Sequence, residues 1–178
     1  MKLLLQFLLA TSLCSFHSYK DSSQIDWNAD RKLSWEDFKA VPDAGSPNAA
    51  LTGTNIKFDF SYNSESGFKY HVSCRFDKNS SWGRVKTDYI LSHEQGHFDI
   101  AEIYARKLYK GLKEYKPDVK KANKEVNKIY ENVMRGLRDE QIEYDRETNF
   151  SINKEKQNEW LKKISADLKS LEVYADYH

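Results

Sequence analysis

The run His93-Glu94-Gln95-Gly96-His97 brings together two imidazoles and a carboxylate on one predicted helix. Residues four apart in a helix differ by about 40° in direction, so His93 and His97 project side by side and can hold one metal ion. Glu94 is turned by about 100° from His93, which lets its carboxylate reach a zinc-bound water without binding the ion. Zinc lowers the pKa of that water to about 7 and polarises a carbonyl, while the carboxylate moves the proton. The motif therefore predicts a zinc-dependent hydrolase with a catalytic Glu94 and the metal ligands His93 and His97.

A catalytic zinc site needs a third protein ligand and an open fourth position. Asp99 and Glu102 follow the motif closely, but both point roughly 140° or more away from the two imidazoles. We therefore expect the third ligand from the next helix, where Asp145 continues the inner face of the apolar stripe. Glu147 is the next candidate because a helix can fray near its end. His71 is a further candidate, although its place on the polar side of a predicted strand favours a solvated side chain.

A small sheet and three helices must position these residues. Apolar and polar residues alternate over residues 56–62 and 68–76, which predicts an antiparallel hairpin with one buried face. Apolar residues at helical spacing predict helices over residues 87–115 and 118–148, and a third that begins at Asn153. The predicted fold class is α+β, a small antiparallel sheet followed by three helices, with a zincin-like active-site helix.

Residues 1–20 have the features of a signal peptide. Lys2 supplies a positive charge, and residues 3–13 form an apolar run that is too short to span a bilayer. Small residues at 10–12 offer a cleavage site. We therefore expect an exported protein whose residues 21–178 form a single metallopeptidase-like domain.

Cys14 raises the alternative of a lipoprotein signal, in which this cysteine carries a lipid anchor. Leu13 stands where such a signal usually has Gly, Ala or Ser. The expected location is therefore periplasmic, envelope-anchored or secreted, with membrane attachment only through Cys14. Cys74 is then the single cysteine of the mature chain, and its place on the apolar side of a strand predicts a buried residue.

Composition narrows the classes of partner. The chain has 178 residues, enough for one ordinary domain with a core. Its 28 Lys and Arg balance 27 Asp and Glu, for a net charge of +1. No strongly basic surface is therefore expected to follow a phosphate backbone, and we expect a peptide or protein substrate rather than nucleic acid. The sequence does not indicate an oligomeric state.

Several motifs, in this order, resemble those of the bacterial "domain of unknown function 922" family. They are Trp27, Leu33-Ser34-Trp35-Glu36-Asp37-Phe38, Ser81-Trp82, the run from His93 to Glu102, Tyr144-Asp145-x-Glu147-Thr148, Gln157 and Trp160. Members of that family are exported, and a zinc-dependent protease activity has been inferred for them. The resemblance implies the same fold and a peptidase activity. In the family pattern a His-Gly pair usually follows the Tyr-Asp-x-Glu-Thr segment, where this chain has Phe150-Ser151.

Three functions stay open at this point. The first is a metallopeptidase that acts outside the cytoplasm, on an extended peptide added to a strand edge of the hairpin. The second is an envelope or secreted binding protein with little or no turnover, which the altered Phe150-Ser151 pair favours. The third is a zinc amidase for a non-peptide substrate, because the motif determines the attacking water but not the acyl group.

Overall fold

Strands come first and helices last in a computed structural model that describes residues 23–63, 65, 67–118 and 120–177. The strands are β1 (Gln24–Asp26), β2 (Ala50–Leu51), β3 (Thr54–Asn63), β4 (Gly67–Asp77) and β5 (Trp82–Gly83). The helices are α1 (Asp88–Glu114), α2 (Ala122–Thr148) and α3 (Lys154–Ser170), with short 3₁₀ turns at Trp35–Asp37 and Glu172–Tyr174. This is the α+β arrangement that the sequence predicts. The predicted signal peptide at residues 1–20, with Cys14, lies outside the described residues.

The predicted hairpin forms the centre of the main sheet. β3 and β4 pair antiparallel with Ile56 opposite Cys74, and β1 pairs with the other edge of β4, which gives the order β1-β4-β3. Ile56, Cys74 and Phe76 are buried, so the alternation identified the inner face, and the prediction of a buried Cys74 is confirmed. The sequence did not predict β1, because a strand of three residues is too short to show a period of two.

Helix α1 lies at the centre of the molecule. Residues 98–106 are all buried, although the hydrophobic pattern predicted burial of one face only. The difference arises because α1 is covered by the sheet on one side and by α2 and α3 on others. Phe98 packs against Phe76 of the sheet, with ring centroids 5.8 Å apart.

Polar residues on the far side of α1 are buried with partners. Asp99 accepts a hydrogen bond of 2.8 Å from Trp27 Nε1, and Glu102 accepts one of 2.8 Å from Arg106 and another from the Tyr177 hydroxyl. Burial raises the pKa of Glu102, although the bonds from Tyr177 and Arg106 oppose the shift. These two carboxylates therefore anchor other segments to α1 and point away from the two imidazoles, as helical geometry predicts.

The ends of the later helices differ in how well they were predicted. α2 begins at Ala122, four residues after the predicted start, because the Asp118 carboxylate accepts the Lys120 N–H and forms a turn before the helix. α3 begins where predicted, since the Asn153 side chain accepts the Lys156 N–H as a cap. None of the helices in the described part of the chain combines the length and apolar character that crossing a bilayer requires.

Two glycines let α1 and α2 approach closely. A Cβ on Gly96 would lie 2.5 Å from the hydroxyl of Tyr144, and a Cβ on Gly136 would lie 2.8 Å from the ring of Tyr104. Each helix thus offers a glycine to a tyrosine of the other. The contact at Gly96 brings the end of α2 against the helical turn that carries the His motif.

Gly96→Ala is expected to lower the free energy of unfolding by about 1–3 kcal/mol, because overpacking against Tyr144 outweighs the roughly 1 kcal/mol that Ala gains over Gly in a helix. Urea unfolding measures the change. Gly111→Ala is the matched control in the same helix, since its Cβ would meet only a methyl group of Ile129, at 3.1 Å. Equal stability of the two variants would contradict the tight contact at Gly96.

Candidate metal centre

Three side-chain atoms from α1 and α2 converge on one point. Asp145 Oδ1 lies 3.1 Å from His93 Nε2 and 3.0 Å from His97 Nε2, and the two nitrogens are 3.2 Å apart. Three ligands held at about 2.0–2.1 Å by a tetrahedral zinc ion are about 3.3 Å from one another. The observed triangle is therefore close in size to one face of a zinc coordination tetrahedron, and the group can hold a metal ion.

The hydrogen bonds around His97 favour a cation in this group. Gln141 Nε2 donates to the His97 carbonyl oxygen at 3.0 Å, so Gln141 Oε1 faces His97 Nδ1 and accepts a hydrogen bond from the Nδ1–H group. In neutral His97 this leaves a lone pair on Nε2, directed at the Asp145 carboxylate. Two acceptors 3.0 Å apart repel each other unless a proton or a cation lies between them. The donor set, two imidazoles and one carboxylate, is typical of zinc sites.

Charge in the cluster shifts the proton affinities of its members. Burial disfavours the charged form of His97, but the hydrogen bond and the charge of Asp145, together with the charge of Glu94, outweigh it and raise the pKa of His97. Burial likewise opposes ionisation of Asp145, yet His93 and His97 hold the pKa of Asp145 well below its usual range. The cluster therefore favours one added positive charge, which either a proton or a bound cation can supply.

Tyr144 of α2 packs against His93 and stabilises its position. Its ring stacks on His93, with centroids 4.5 Å apart, and its hydroxyl donates to the His93 carbonyl oxygen at 3.3 Å. Burial, followed by the charges of Glu94 and Asp145, raises the pKa of Tyr144. Tyr144 is fully buried, so it positions α2 against the His motif and does not face a substrate. His93 Nδ1 is also buried and has no hydrogen-bond partner among the described residues.

The structure does not bring the other two ligand candidates to the cluster. Glu147 lies two residues after Asp145 and points elsewhere on α2, where its carboxylate accepts the Trp160 Nε1–H at 2.8 Å. His71 is exposed on β4, opposite Asp59 of β3. Asp145 is therefore the carboxylate that lies beside His93 and His97, as the helical projection predicted.

Glu94 is held in place by a residue that the sequence did not identify. Thr52 Oγ1 donates to Glu94 Oε2 at 2.7 Å and lies 3.3 Å from the Glu94 carbonyl oxygen. Glu94 is buried, and its charge contributes to the raised pKa of His97, so its carboxylate lies within electrostatic range of the cluster. Thr52 thus orients this carboxylate and ties the segment after β2 to α1.

The cluster opens into a cleft of about 510 Å³. One wall is the segment from Asn48 to Thr54, which includes β2. The opposite wall comes from the end of α2 and the turn after it: Leu137, Arg138, Gln141, Ile142, Asp145, Phe150 and Ser151. His93, Glu94 and His97 also line this cleft, so a bound molecule can reach both the cluster and the glutamate.

The turn after α2 has a strained backbone. Asn149, Phe150 and Ser151 have φ angles of 47°, 51° and 70°, in the left-handed region that side chains disfavour. Each such residue costs about 1 kcal/mol or more, and Asn is the member that tolerates it best. The turn is held because the Phe150 N–H donates to the Asp145 carbonyl oxygen at 2.9 Å. The pair Phe150-Ser151 thus sits at the lip of the cleft, beside a candidate ligand.

A family of bacterial proteins of unknown function, DUF922, has a model that matches residues 20–151. The chain belongs to this family. The matched residues run from before β1 to the turn after α2, so they include the cluster and the whole lining of the cleft. No curated protein and no solved structure gives a significant match to this DUF922 chain. The family has no established function.

The structure brings together His93, His97 and Asp145, the candidate ligands that the sequence indicated. Two residues that contact the site, Gln141 and Thr52, differ in how visible they were in the sequence. Gln141 carried a signal, since it lies four residues before Asp145 and shares its face of α2. Thr52 carried none, because it is separated from Glu94 by 42 positions and meets it only in the folded chain.

Proposed function

We propose that this DUF922 protein is an exported zinc-dependent metallopeptidase. His93, His97 and Asp145 hold the zinc ion, and Glu94 is the general base. The observation that carries the proposal is the convergence of three ligand atoms within 3.2 Å of one another, in a cleft that Glu94 also lines. Two imidazoles, one carboxylate and an adjacent glutamate are the set that metal-assisted hydrolysis needs.

The chain's own residues divide the work of hydrolysis. Zinc, when bound, acts as a Lewis acid that acidifies water and polarises the carbonyl under attack. Glu94 takes a proton from the attacking water and delivers it to the leaving nitrogen. Thr52 holds the Glu94 carboxylate in one orientation through its 2.7 Å hydrogen bond. Gln141 holds His97 with Nδ1 protonated, which directs Nε2 towards the metal.

The strand along the cleft favours an extended peptide as substrate. β2 pairs with β5 on one edge, and no strand among the described residues covers its other edge. Arg84 N–H donates to the Ala49 carbonyl oxygen, so Ala50 and Gly83 form a non-hydrogen-bonded pair, and the N–H and C=O of Ala50 point away from β5. Ala50 is buried but lines the cleft, and we propose that these groups pair with the backbone of a bound peptide. The sequence had placed this edge on the β3–β4 hairpin, which contributes only Thr54 to the cleft.

A second depression adjoins the cleft along α2. This depression of about 440 Å³ shares Leu137 and Arg138 with the cleft and continues to Tyr130. Eight residues of helix from Tyr130 to Leu137 span about 10 Å, the length of about three extended residues. An extended peptide of several residues is therefore long enough to contact both depressions.

Digestion of a library of unstructured peptides by the zinc-loaded protein tests the proposal. We expect cleavage that stops when a chelator removes the metal and returns when zinc is restored, because the chemistry depends on the cluster. Mass spectrometry of the products measures it. A zinc-loaded protein that leaves every peptide intact would overturn the peptidase proposal and favour a binding protein or an amidase for non-peptide substrates.

A further inference from the structure

Three large apolar side chains that line the cleft are exposed to solvent. The described part of the chain has seven exposed side chains of this kind: Val41, Leu51, Val85, Ile142, Phe150, Ile152 and Val173. The three that line the cleft are Leu51 with 39% exposure, Ile142 with 64% and Phe150 with 50%. Exposed apolar surface that collects at a concave site marks a place where a ligand is bound.

Phe150 is held at the lip of the cleft rather than left there by a loose chain. Its N–H donates to the Asp145 carbonyl oxygen, and the turn closes with a 2.7 Å bond from the Asn153 N–H to the Thr148 carbonyl oxygen. The Thr148 hydroxyl is buried and donates to the Tyr144 carbonyl oxygen at 2.6 Å. Phe150 has a φ of 51° and is half exposed, so its side chain adds little to the hydrophobic core of the protein. Strain of this kind tends to persist where the site uses it.

The position of this apolar wall relates it to the scissile bond. Ile142 lies three residues before Asp145 on α2, so the two side chains share one face of the helix. The Phe150 N–H donates a hydrogen bond to the Asp145 carbonyl oxygen, which keeps Phe150 close to the same ligand. An extended peptide with its scissile carbonyl at the cluster projects its side chains alternately to the two sides of its backbone. With the peptide backbone along β2, a side chain next to the scissile bond that projects across the cleft faces the end of α2, where Ile142 and Phe150 lie.

We propose that the cleft selects peptides with a large apolar side chain next to the scissile bond, and that Phe150 and Ile142 are the specificity-determining residues. This inference rests on the proposed peptidase function and names its substrate class. Arg138, which is exposed and lines the same cleft, offers the competing choice of an acidic side chain. The apolar choice is favoured because three exposed apolar residues, against one cation, line the cleft.

Position-scanned peptides digested by the zinc-loaded protein test the inference. We expect Phe, Leu, Met or Tyr next to the cleaved bond, with a kcat/KM about tenfold above that of the matched Ser peptide. Phe150→Asn keeps a residue that tolerates the left-handed backbone and is expected to remove most of this difference, whereas Phe150→Leu retains it. Ile152→Asn, at a 72% exposed position outside the cleft lining, is the control and should leave the preference unchanged.

The two proposals fail in different ways. Chelator-sensitive cleavage without an apolar preference, or with an acidic one, overturns the inference and leaves the peptidase function standing. If no peptide is cleaved, binding of fluorescent Phe and Ser peptides to zinc-loaded Glu94→Gln decides the inference by itself. Tighter binding of the Phe peptide supports the apolar subsite if the difference disappears in the double variant Glu94→Gln/Phe150→Asn. Equal binding of both peptides overturns it.

Discussion

The purified protein is expected to contain close to one zinc ion per chain, and the double variant His93→Ala/His97→Ala none. Removing both imidazoles leaves one carboxylate, Asp145, which cannot hold zinc against the solvent. Elemental analysis of the protein after dialysis against metal-free buffer measures the ratio. Circular dichroism of the variant checks that the helices remain, so that loss of metal is not read from an unfolded chain.

Asp145 is tested separately because it comes from a different helix. Asp145→Ala is expected to lower zinc affinity by more than the 10–100-fold typical of a lost outer-shell partner, since it removes a direct ligand. Glu143→Ala is the matched control: its carboxylate lies two residues away on the same helix and pairs with Arg146 at the surface. Unchanged affinity in Asp145→Ala would show that Asp145 is not a zinc ligand. A metal-free wild-type protein would remove the metal centre altogether.

Glu94→Gln is expected to keep the zinc ion and to lower kcat for peptide cleavage by about 10²–10⁴-fold, the usual contribution of a general base. Gln has nearly the shape of Glu and can still accept the hydrogen bond from Thr52, but it cannot take a proton from water. Retained metal with lost turnover separates a catalytic role from a structural one. Steady-state kinetics on one cleaved peptide, with zinc content measured on the same sample, provides both values.

Glu114→Gln provides the comparison for that experiment, since Glu114 ends the same helix at the opposite end from the motif. Its kinetics should equal those of the wild type. Cleavage that survives Glu94→Gln at the wild-type rate would remove Glu94 from the mechanism. If the wild type binds zinc and cleaves no peptide, the result favours a binding protein or an enzyme that hydrolyses another kind of amide.

Local patterns predicted the elements well where the signal lies within a few residues. In β3 and β4 apolar residues recur at every second position, and in α1 and α3 they recur at every helical turn, so a few residues are enough to show the buried face. The pattern failed for β1 and β5, whose few residues carry no period, and for the breadth of burial of α1. A hydrophobic stripe shows which side of a helix is apolar, but not that polar residues such as Asp99 and Glu102 are also enclosed with partners.

The sequence by itself determined the pairing of His93 with His97 and the place of Glu94 beside them, because a helix sets those directions within one turn. Projection along α2 also placed Asp145 on the inner face. Only the tertiary structure decided that this carboxylate meets the imidazoles, since their separation depends on the contact of Gly96 with Tyr144. It also decided that Thr52 holds Glu94 and that β2 and Phe150 border the cleft. Those contacts join segments far apart in the chain, and no local preference of the backbone encodes them.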